Sequence, residues 1–229
     1  MNFNAEKINE VIDDYIAIRI YVETKKNFAT PEFKVLFNRF YKIRQKKAKW
    51  YNAFYNTFAN YKRTPKSFKD LLMKFYKATE KINGVGKGEI HPSFCSKIMH
   101  AVDPNKPYWD KYILQMLGIV LDEPVKPYER IHYYAEIYSQ IEKEYVEHLN
   151  DKNIKEAMQR FDLEIKYSDF VLRDLIKPKK NGKSNSKFIA YSVTDEFKLT
   201  PIEKLDLMLW SIKDERRPSI LDYNKLLEE

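Results

Sequence analysis

The sequence contains little cysteine and no long apolar segment, and both absences exclude classes of protein. Cys95 is the only cysteine among 229 residues, so the chain cannot form an internal disulfide and is not a disulfide-stabilised secreted scaffold. No apolar segment is long enough to span a bilayer, and residues 1–14 lack the apolar stretch of a signal peptide. We therefore expect a soluble, cytoplasmic protein without a membrane partner.

The sequence also lacks the residue patterns that bind metals or form well-known catalytic sites. Its four histidines show no metal-ligand spacing, and one cysteine cannot supply the four thiolates of an iron–sulfur cluster. It contains no phosphate-binding loop, kinase motif or Ser-His-Asp arrangement. We expect neither a metal nor a cofactor.

Apolar, aromatic and basic residues are plentiful. Hydrophobic residues make up 44% of the chain and aromatic residues 15%, which is enough for a substantial core at this length. The formal net charge is +8, which favours an anionic partner, and nucleic acid before a membrane surface. On charge alone, a lysine-rich surface that merely keeps a helical protein in solution is an equal alternative.

The spacing of apolar residues predicts an all-α protein. Apolar side chains recur at intervals of three and four residues through most of the sequence, as on one face of a helix. Three predicted helix starts share a pair in which threonine caps the first turn and proline is tolerated: Thr30-Pro31, Thr64-Pro65 and Thr200-Pro201. The predicted helices span 5–24, 31–46, 48–62, 65–81, 93–102, 108–117, 128–148, 152–164, 168–176 and 201–213.

We expect these helices to form one globular domain, residues 1–229, as a compact bundle or an orthogonal array. A division into lobes 1–80 and 81–213 is the alternative. Residues 188–193 alternate as in a short strand. Residues 177–187 are rich in lysine and contain glycine, proline and serine, which predicts a mobile basic loop.

Glycine is concentrated at one place in the chain. Three of the five glycines, Gly84, Gly86 and Gly88, fall within five residues between two predicted helices. Glycine permits positive φ and a close approach to the backbone. The exposed N–H groups of such a turn can bind an anion, for example a DNA phosphate. For the glycines alone, a plain helix C-cap followed by a loop is the favoured interpretation.

The order of motifs around this turn resembles the helix-hairpin-helix DNA glycosylase superfamily. The run Lys81-Ile82-Asn83-Gly84-Val85-Gly86-Lys87 is followed by a helix, a proline-containing turn and then Asp110 at the start of the next helix. The resemblance covers about residues 80–119 and departs from the family in having Asn83 where proline is usual. It implies a helix-hairpin-helix-like unit that binds a DNA phosphate through Gly84, Val85, Gly86, Lys87 and Gly88.

The resemblance also implies an activity, the excision of a flipped-out base. The aspartate that acts at the sugar would be Asp110, because a carboxylate can stabilise the positive charge that develops when the N-glycosidic bond breaks. The lysine nucleophile of bifunctional members would be Lys87 or Lys97. Trp109 and Tyr108 would contact the opened nucleic acid. The alternative role of Asp110 is to cap its own helix.

Further basic residues are candidates for phosphate contacts. They lie in two stretches of the chain and comprise Lys42, Arg44, Lys46, Lys47, Lys49, Lys179, Lys180 and Lys183. The aromatic residues after the first stretch, among them Trp50, Phe54 and Phe58, have helical spacing and are expected in the core.

Three functional hypotheses follow. The first is a DNA-binding protein with a glycosylase-like module that excises a base, with or without lyase activity. The second is a nucleic-acid-binding protein without catalysis, and the third is a helical protein-interaction factor of phage or defence origin. In the first two the partner is nucleic acid, DNA ahead of RNA. Segments 93–110 and 203–210 also resemble uncharacterised bacterial proteins, which implies a helical fold and no particular activity.

Overall fold

A computed structural model describes residues 1–24, 30–43, 47–64, 66–166, 170–176, 186–192 and 198–212. Its helices are α1 (Ala5–Asn9), α2 (Ile12–Thr24), α3 (Pro31–Phe40), α4 (Ala48–Arg63), α5 (Phe68–Asn83), α6 (Pro92–Val102), α7 (Lys111–Met116), α8 (Pro127–Asn150), α9 (Lys152–Glu164) and α10 (Pro201–Ile212). Two strands, β1 (Phe170–Ile176) and β2 (Ser186–Ser192), lie between α9 and α10. The predicted all-α fold is confirmed, with one small antiparallel hairpin added to it.

The predicted helix at 168–176 is wrong, because Phe170–Ile176 forms strand β1. This strand pairs antiparallel with β2, so that Phe170 lies opposite Ser192 and Ile176 opposite Ser186. A short apolar run fits a buried helix or a strand equally well by periodicity, and the partner strand decides between them. The strand expected at 188–193 is present as β2. Residues 177–185 of the predicted basic loop lie outside the described residues.

Several helix ends differ from the prediction for local reasons. The helix predicted at 5–24 is divided into α1 and α2, and the one predicted at 31–46 ends at Phe40. Thr64 closes α4 instead of opening α5. Ser67 caps α5, where its hydroxyl accepts a hydrogen bond from the Asp70 N–H at 3.2 Å.

The core is formed largely by aromatic side chains, and it fixes which side of α4 faces outward. Trp50 and Phe54 are buried and stack on each other with ring centroids 5.4 Å apart, and Phe58 is buried one turn later. These residues face α3, α5 and α6, so their predicted core position is confirmed. The opposite side of α4 is exposed. No helix within the described ranges is both long enough and apolar enough to cross a membrane.

Candidate nucleic-acid interface

The exposed side of α4 carries a line of basic and amide side chains. Its members are exposed and spaced three or four residues apart, and we call them the α4 face: Lys49, Asn52, Asn56, Asn60 and Arg63. No acidic residue occurs in the sixteen residues of α4, which is about 24 Å long. Within the described structure the three asparagine side chains form no hydrogen bond with another residue. Their donors and acceptors therefore point to solvent.

The positive charge of the protein is concentrated in the part of the chain that contains α4. Residues 31–111 have eighteen lysines and arginines against six acidic residues, whereas the remainder has twenty-three against twenty-seven. The segment 127–164, which spans α8 and α9, has five basic and nine acidic residues. The net charge of +8 is thus a property of one part of the molecule rather than of the whole surface.

The predicted phosphate-binding lysines that the structure describes are all exposed. Lys42, Lys47 and Lys49 form no ion pair with any residue of the described ranges. Their charges are consequently not neutralised by any acidic side chain that the structure describes. The other basic candidates, Arg44, Lys46, Lys179, Lys180 and Lys183, lie outside the described residues.

The glycine turn after α5 has the open, left-handed backbone that the sequence predicts. Gly84 has φ +103° and Gly86 has φ +74°, and Val85 between them is 95% exposed. The N–H of Gly86, however, donates a hydrogen bond to the Glu80 carboxylate, with 2.7 Å between N and Oε1. The backbone N–H of Gly86, which the sequence predicts as a phosphate-binding group, is thus already hydrogen-bonded to a carboxylate of the same chain.

Gly88 serves a different purpose from the other two glycines of the turn. A Cβ at this position would lie 2.5 Å from the carbonyl oxygen of Tyr76 and 2.6 Å from its ring. The chain leaving the turn therefore packs directly against α5. This glycine is required by packing rather than by a ligand.

Asp110 is the N-cap of α7. Its Oδ1 accepts a hydrogen bond from the Tyr112 N–H at 2.9 Å, and its side chain is half-buried. Among the described residues the Asp110 carboxylate has no ion pair, so it is bound by neither Lys87 nor Lys97. The Lys97 ammonium lies instead 5.6 Å from the centroid of the Tyr41 ring. The structure therefore does not bring the three predicted catalytic residues into contact.

The two aromatic residues before Asp110 are engaged with the protein interior. Trp109 is 3% exposed and packs between Phe68 and Tyr134, so in this structure it offers no face on which a base could stack. Tyr108 is half-buried, and its hydroxyl lies 2.6 Å from that of Tyr41. The Trp109 side chain thus packs between α5 and α8, and the Tyr108 ring lies against His100 of α6 with ring centroids 4.0 Å apart.

A buried polar cluster, which sequence reasoning did not identify, joins α2, α6 and α10. The Tyr15 hydroxyl donates to Glu203 Oε1 at 2.5 Å and lies 2.6 Å from Nε2 of His100. The Arg19 guanidinium forms an ion pair with the same carboxylate. The Thr200 N–H donates to Glu203 Oε2 at 2.6 Å. The cluster fixes α10 against the two other helices.

Asp206 extends this cluster one turn along α10. Its Oδ1 accepts a hydrogen bond from the Tyr145 hydroxyl at 2.6 Å, and its Oδ2 lies 3.5 Å from His100 Nδ1 without a hydrogen-bond partner in the described structure. Burial raises the pKa of Asp206, a shift that the Tyr145 hydrogen bond and the backbone of Tyr108 partly oppose. Burial acts on the pKa of His100 in the opposite direction and lowers it, whereas the contact of its ring with the Lys106 carbonyl raises it. The sequence signal for this cluster is the presence of charged residues on two otherwise apolar helices, α2 and α10.

The geometry contains no metal site among the described residues, since no three side chains of His, Cys, Asp and Glu are grouped as ligands. His91 and Glu89 do form a half-exposed pair, with 2.6 Å between Nε2 and Oε2. The Glu89 carboxylate also accepts a hydrogen bond from the Trp50 indole N–H at 3.1 Å. This pair ties the segment after the glycine turn to α4.

Comparison of the chain with family models, with curated protein sequences and with solved structures finds no match in any of the three.

Proposed function

We propose that this protein binds nucleic acid, DNA ahead of RNA, through a basic surface centred on the α4 face. The observation that carries the proposal is a helix without acidic residues whose exposed line contains Lys49, three asparagines and Arg63. This helix lies in the part of the chain, residues 31–111, where basic residues outnumber acidic ones by eighteen to six. Lys42 and Lys47, which precede α4, extend the basic surface at its N-terminal end.

The chemistry of these side chains suits a polynucleotide. Lysine and arginine neutralise phosphates and release condensed counterions, which supplies most of the affinity for a charged backbone. Asparagine can donate to phosphate oxygens and can form paired hydrogen bonds with the edge of adenine. A helix of about 24 Å is long enough to follow a groove across several base pairs.

Binding without base excision fits the contacts better than binding with it. Excision by the predicted residues needs a carboxylate directed at the sugar and an aromatic face for the opened duplex. Asp110 caps α7, and Trp109 is buried in the core. The backbone N–H of Gly86, a predicted phosphate contact, already donates a hydrogen bond to the Glu80 carboxylate. We therefore propose a non-catalytic nucleic-acid-binding protein, with base excision as the alternative.

The test of binding compares two charge-matched double variants by fluorescence anisotropy with a labelled DNA duplex. Lys49→Gln/Arg63→Gln removes both cations of the α4 face, and we expect its Kd to rise about tenfold or more, since each phosphate contact contributes electrostatic free energy. The control, Lys143→Gln/Lys155→Gln, removes the same charge from exposed positions of α8 and α9. Equal losses in both variants would show that net charge, not the α4 face, determines binding.

A separate assay of base release distinguishes binding from excision. We expect the wild-type protein and Asp110→Asn to bind duplexes containing alkylated, oxidised or deaminated bases equally, and neither to release a base. Release by the wild type that the asparagine variant loses would establish the excision hypothesis. A protein that binds no polynucleotide at low ionic strength would instead favour the protein-interaction hypothesis.

A further inference from the structure

His100 lies in the interior, and both of its ring nitrogens have a short polar contact. Nε2 lies 2.6 Å from the hydroxyl oxygen of Tyr15, and Nδ1 lies 2.6 Å from the carbonyl oxygen of Lys106. The residue has no solvent-exposed surface. Each contact therefore needs a hydrogen that the cluster itself provides.

A neutral imidazole ring carries only one N–H hydrogen, which is too few for both of these contacts to be hydrogen bonds. The Lys106 carbonyl can only accept, so Nδ1 must donate to it. The Glu203 carboxylate faces the Arg19 guanidinium and accepts the hydroxyl hydrogen of Tyr15 at 2.5 Å. The Tyr15 oxygen is then left to accept from Nε2. Both ring nitrogens act as donors, which requires one proton more than a neutral imidazole carries.

A count of buried charges leads to the same extra proton. Arg19 and Glu203 compensate each other as an ion pair, which leaves Asp206 as a second buried carboxylate. Its Oδ2 lies 3.5 Å from His100 Nδ1, and no lysine or arginine of the described residues forms an ion pair with this carboxylate. Without a proton on this pair, one negative charge would remain uncompensated in the interior, which is strongly unfavourable.

We propose that His100 and Asp206 form a buried proton-binding site that holds one shared proton in the folded protein at neutral pH. The two groups titrate as a unit, because a charge on either one alone would be buried without compensation. The proton makes the whole cluster electrically neutral and completes the hydrogen bonds of His100. It thereby fastens α10 to α6, and through Tyr15 to α2.

The surroundings of the pair favour retention of this proton. The titratable and charged groups that face it are Tyr15 and Arg19 on α2, Tyr41 after α3, Asp103, Tyr108 and Asp110 between α6 and α7, Tyr138 and Tyr145 on α8, and Glu203 on α10. Among these described groups Arg19 is the only cation, and it is paired with Glu203 and Glu23. The remaining charges near the pair are carboxylates, which favour its protonated state.

The site makes stability depend on pH in a defined direction. In the unfolded chain histidine has a pKa of about 6.5 and aspartate about 3.9, so above pH 7.5 the unfolded pair holds almost no proton. The folded pair still holds one on this proposal, because releasing it would leave the Asp206 carboxylate buried without a compensating charge. Stability is therefore lost as the pH rises, and the unfolding constant increases about tenfold per pH unit until the folded pair releases its proton.

The test measures urea unfolding of the intact chain between pH 7.5 and 9 in three proteins. Asp206→Asn keeps an oxygen for the Tyr145 hydroxyl and removes the need for the shared proton. The factor by which its unfolding constant increases per pH unit should therefore be about ten times smaller than the factor for the wild type. Glu142→Gln is the control, because this half-exposed carboxylate pairs with the Lys106 ammonium at 2.7 Å and lies outside the pair. The unfolding constant of Glu142→Gln should increase with pH as steeply as that of the wild type. An equally steep increase in the wild type and Asp206→Asn would overturn the proposal.

NMR of the wild-type protein at pH 7.5 gives a second test that does not depend on any variant. Nitrogen-15 shifts report whether both ring nitrogens of His100 carry hydrogen, and the carbon-13 shift of the Asp206 carboxyl reports its protonation. A proton on either partner supports the site. An unprotonated ring nitrogen together with an ionised Asp206 would overturn it.

Discussion

The surroundings of Cys95 illustrate how far a single side chain's chemistry depends on the fold. Its side chain is fully buried on α6, and burial raises the pKa of the thiol. We expect it to react with iodoacetamide at neutral pH only as fast as the protein unfolds. Because the chain has one cysteine, mass spectrometry of the labelled protein reports on this site alone. Complete labelling of the folded protein within the time needed for the urea-unfolded chain would contradict the burial.

The glycines of the turn make a second prediction at the scale of single residues. Gly88→Ala places a Cβ 2.5 Å from the Tyr76 carbonyl oxygen, so we expect it to lower the free energy of unfolding by about 1–3 kcal/mol. Gly86→Asn is the matched control, since nothing lies within 4 Å of its Cβ position and asparagine tolerates a left-handed φ. The midpoint of urea unfolding is measured for both variants and for the wild type. An unchanged midpoint for Gly88→Ala would show that the turn is not packed against α5.

For single residues, the sequence predicted which side chains have a distinct chemical role, but not which other side chains surround them. Asp110 was recognised both as a candidate carboxylate and as a helix cap, and the cap is what the structure contains. Trp109 lies at helical spacing with the buried Ile113, a signal for the core that competes with the idea of a base-stacking residue. The pairing of His100 with Asp206 joins residues far apart in sequence, which no local pattern can reveal.

At the scale of elements, the start of α10 provides the sharpest prediction. The Thr200 hydroxyl accepts from the Glu203 N–H at 3.2 Å and donates to the Pro104 carbonyl at 2.9 Å. Thr200→Ala removes both hydrogen bonds, and we expect the free energy of unfolding to fall by about 1–2 kcal/mol. Thr200→Ser keeps the hydroxyl and should lose much less. Thermal unfolding compares the two, and equal losses would mean that the methyl group, not the cap, is important.

The helices were predictable where caps and periodicity agree, and less so where a distant partner decides. Thr200 correctly marked the start of α10, where it forms a capping box with Glu203, because such a cap is a local interaction. The start of α5 was misplaced, since Thr64 could close one helix as well as open the next. Strand β1 depends on pairing with β2, which is a contact between separate segments.

At the scale of the whole molecule, the distribution of charge carries the functional argument. The sequence predicted a basic protein but not which surface is basic, because exposure depends on how α4 packs. Once the aromatic side of α4 is buried, its Lys-Asn-Asn-Asn-Arg line is necessarily exposed. The asparagines Asn52, Asn56 and Asn60 could have been found from their four-residue spacing opposite Trp50 and Phe54.

The salt dependence of DNA binding by the wild-type protein tests the central claim most directly. If Lys42, Lys47, Lys49 and Arg63 each neutralise one phosphate, a plot of log Kobs against log salt concentration for a B-form duplex should have a slope of about −3.6. Fluorescence anisotropy between 50 and 300 mM salt, roughly the range over which such contacts weaken, provides the measurement. A slope near zero, or no binding at the lowest salt concentration, would contradict the account.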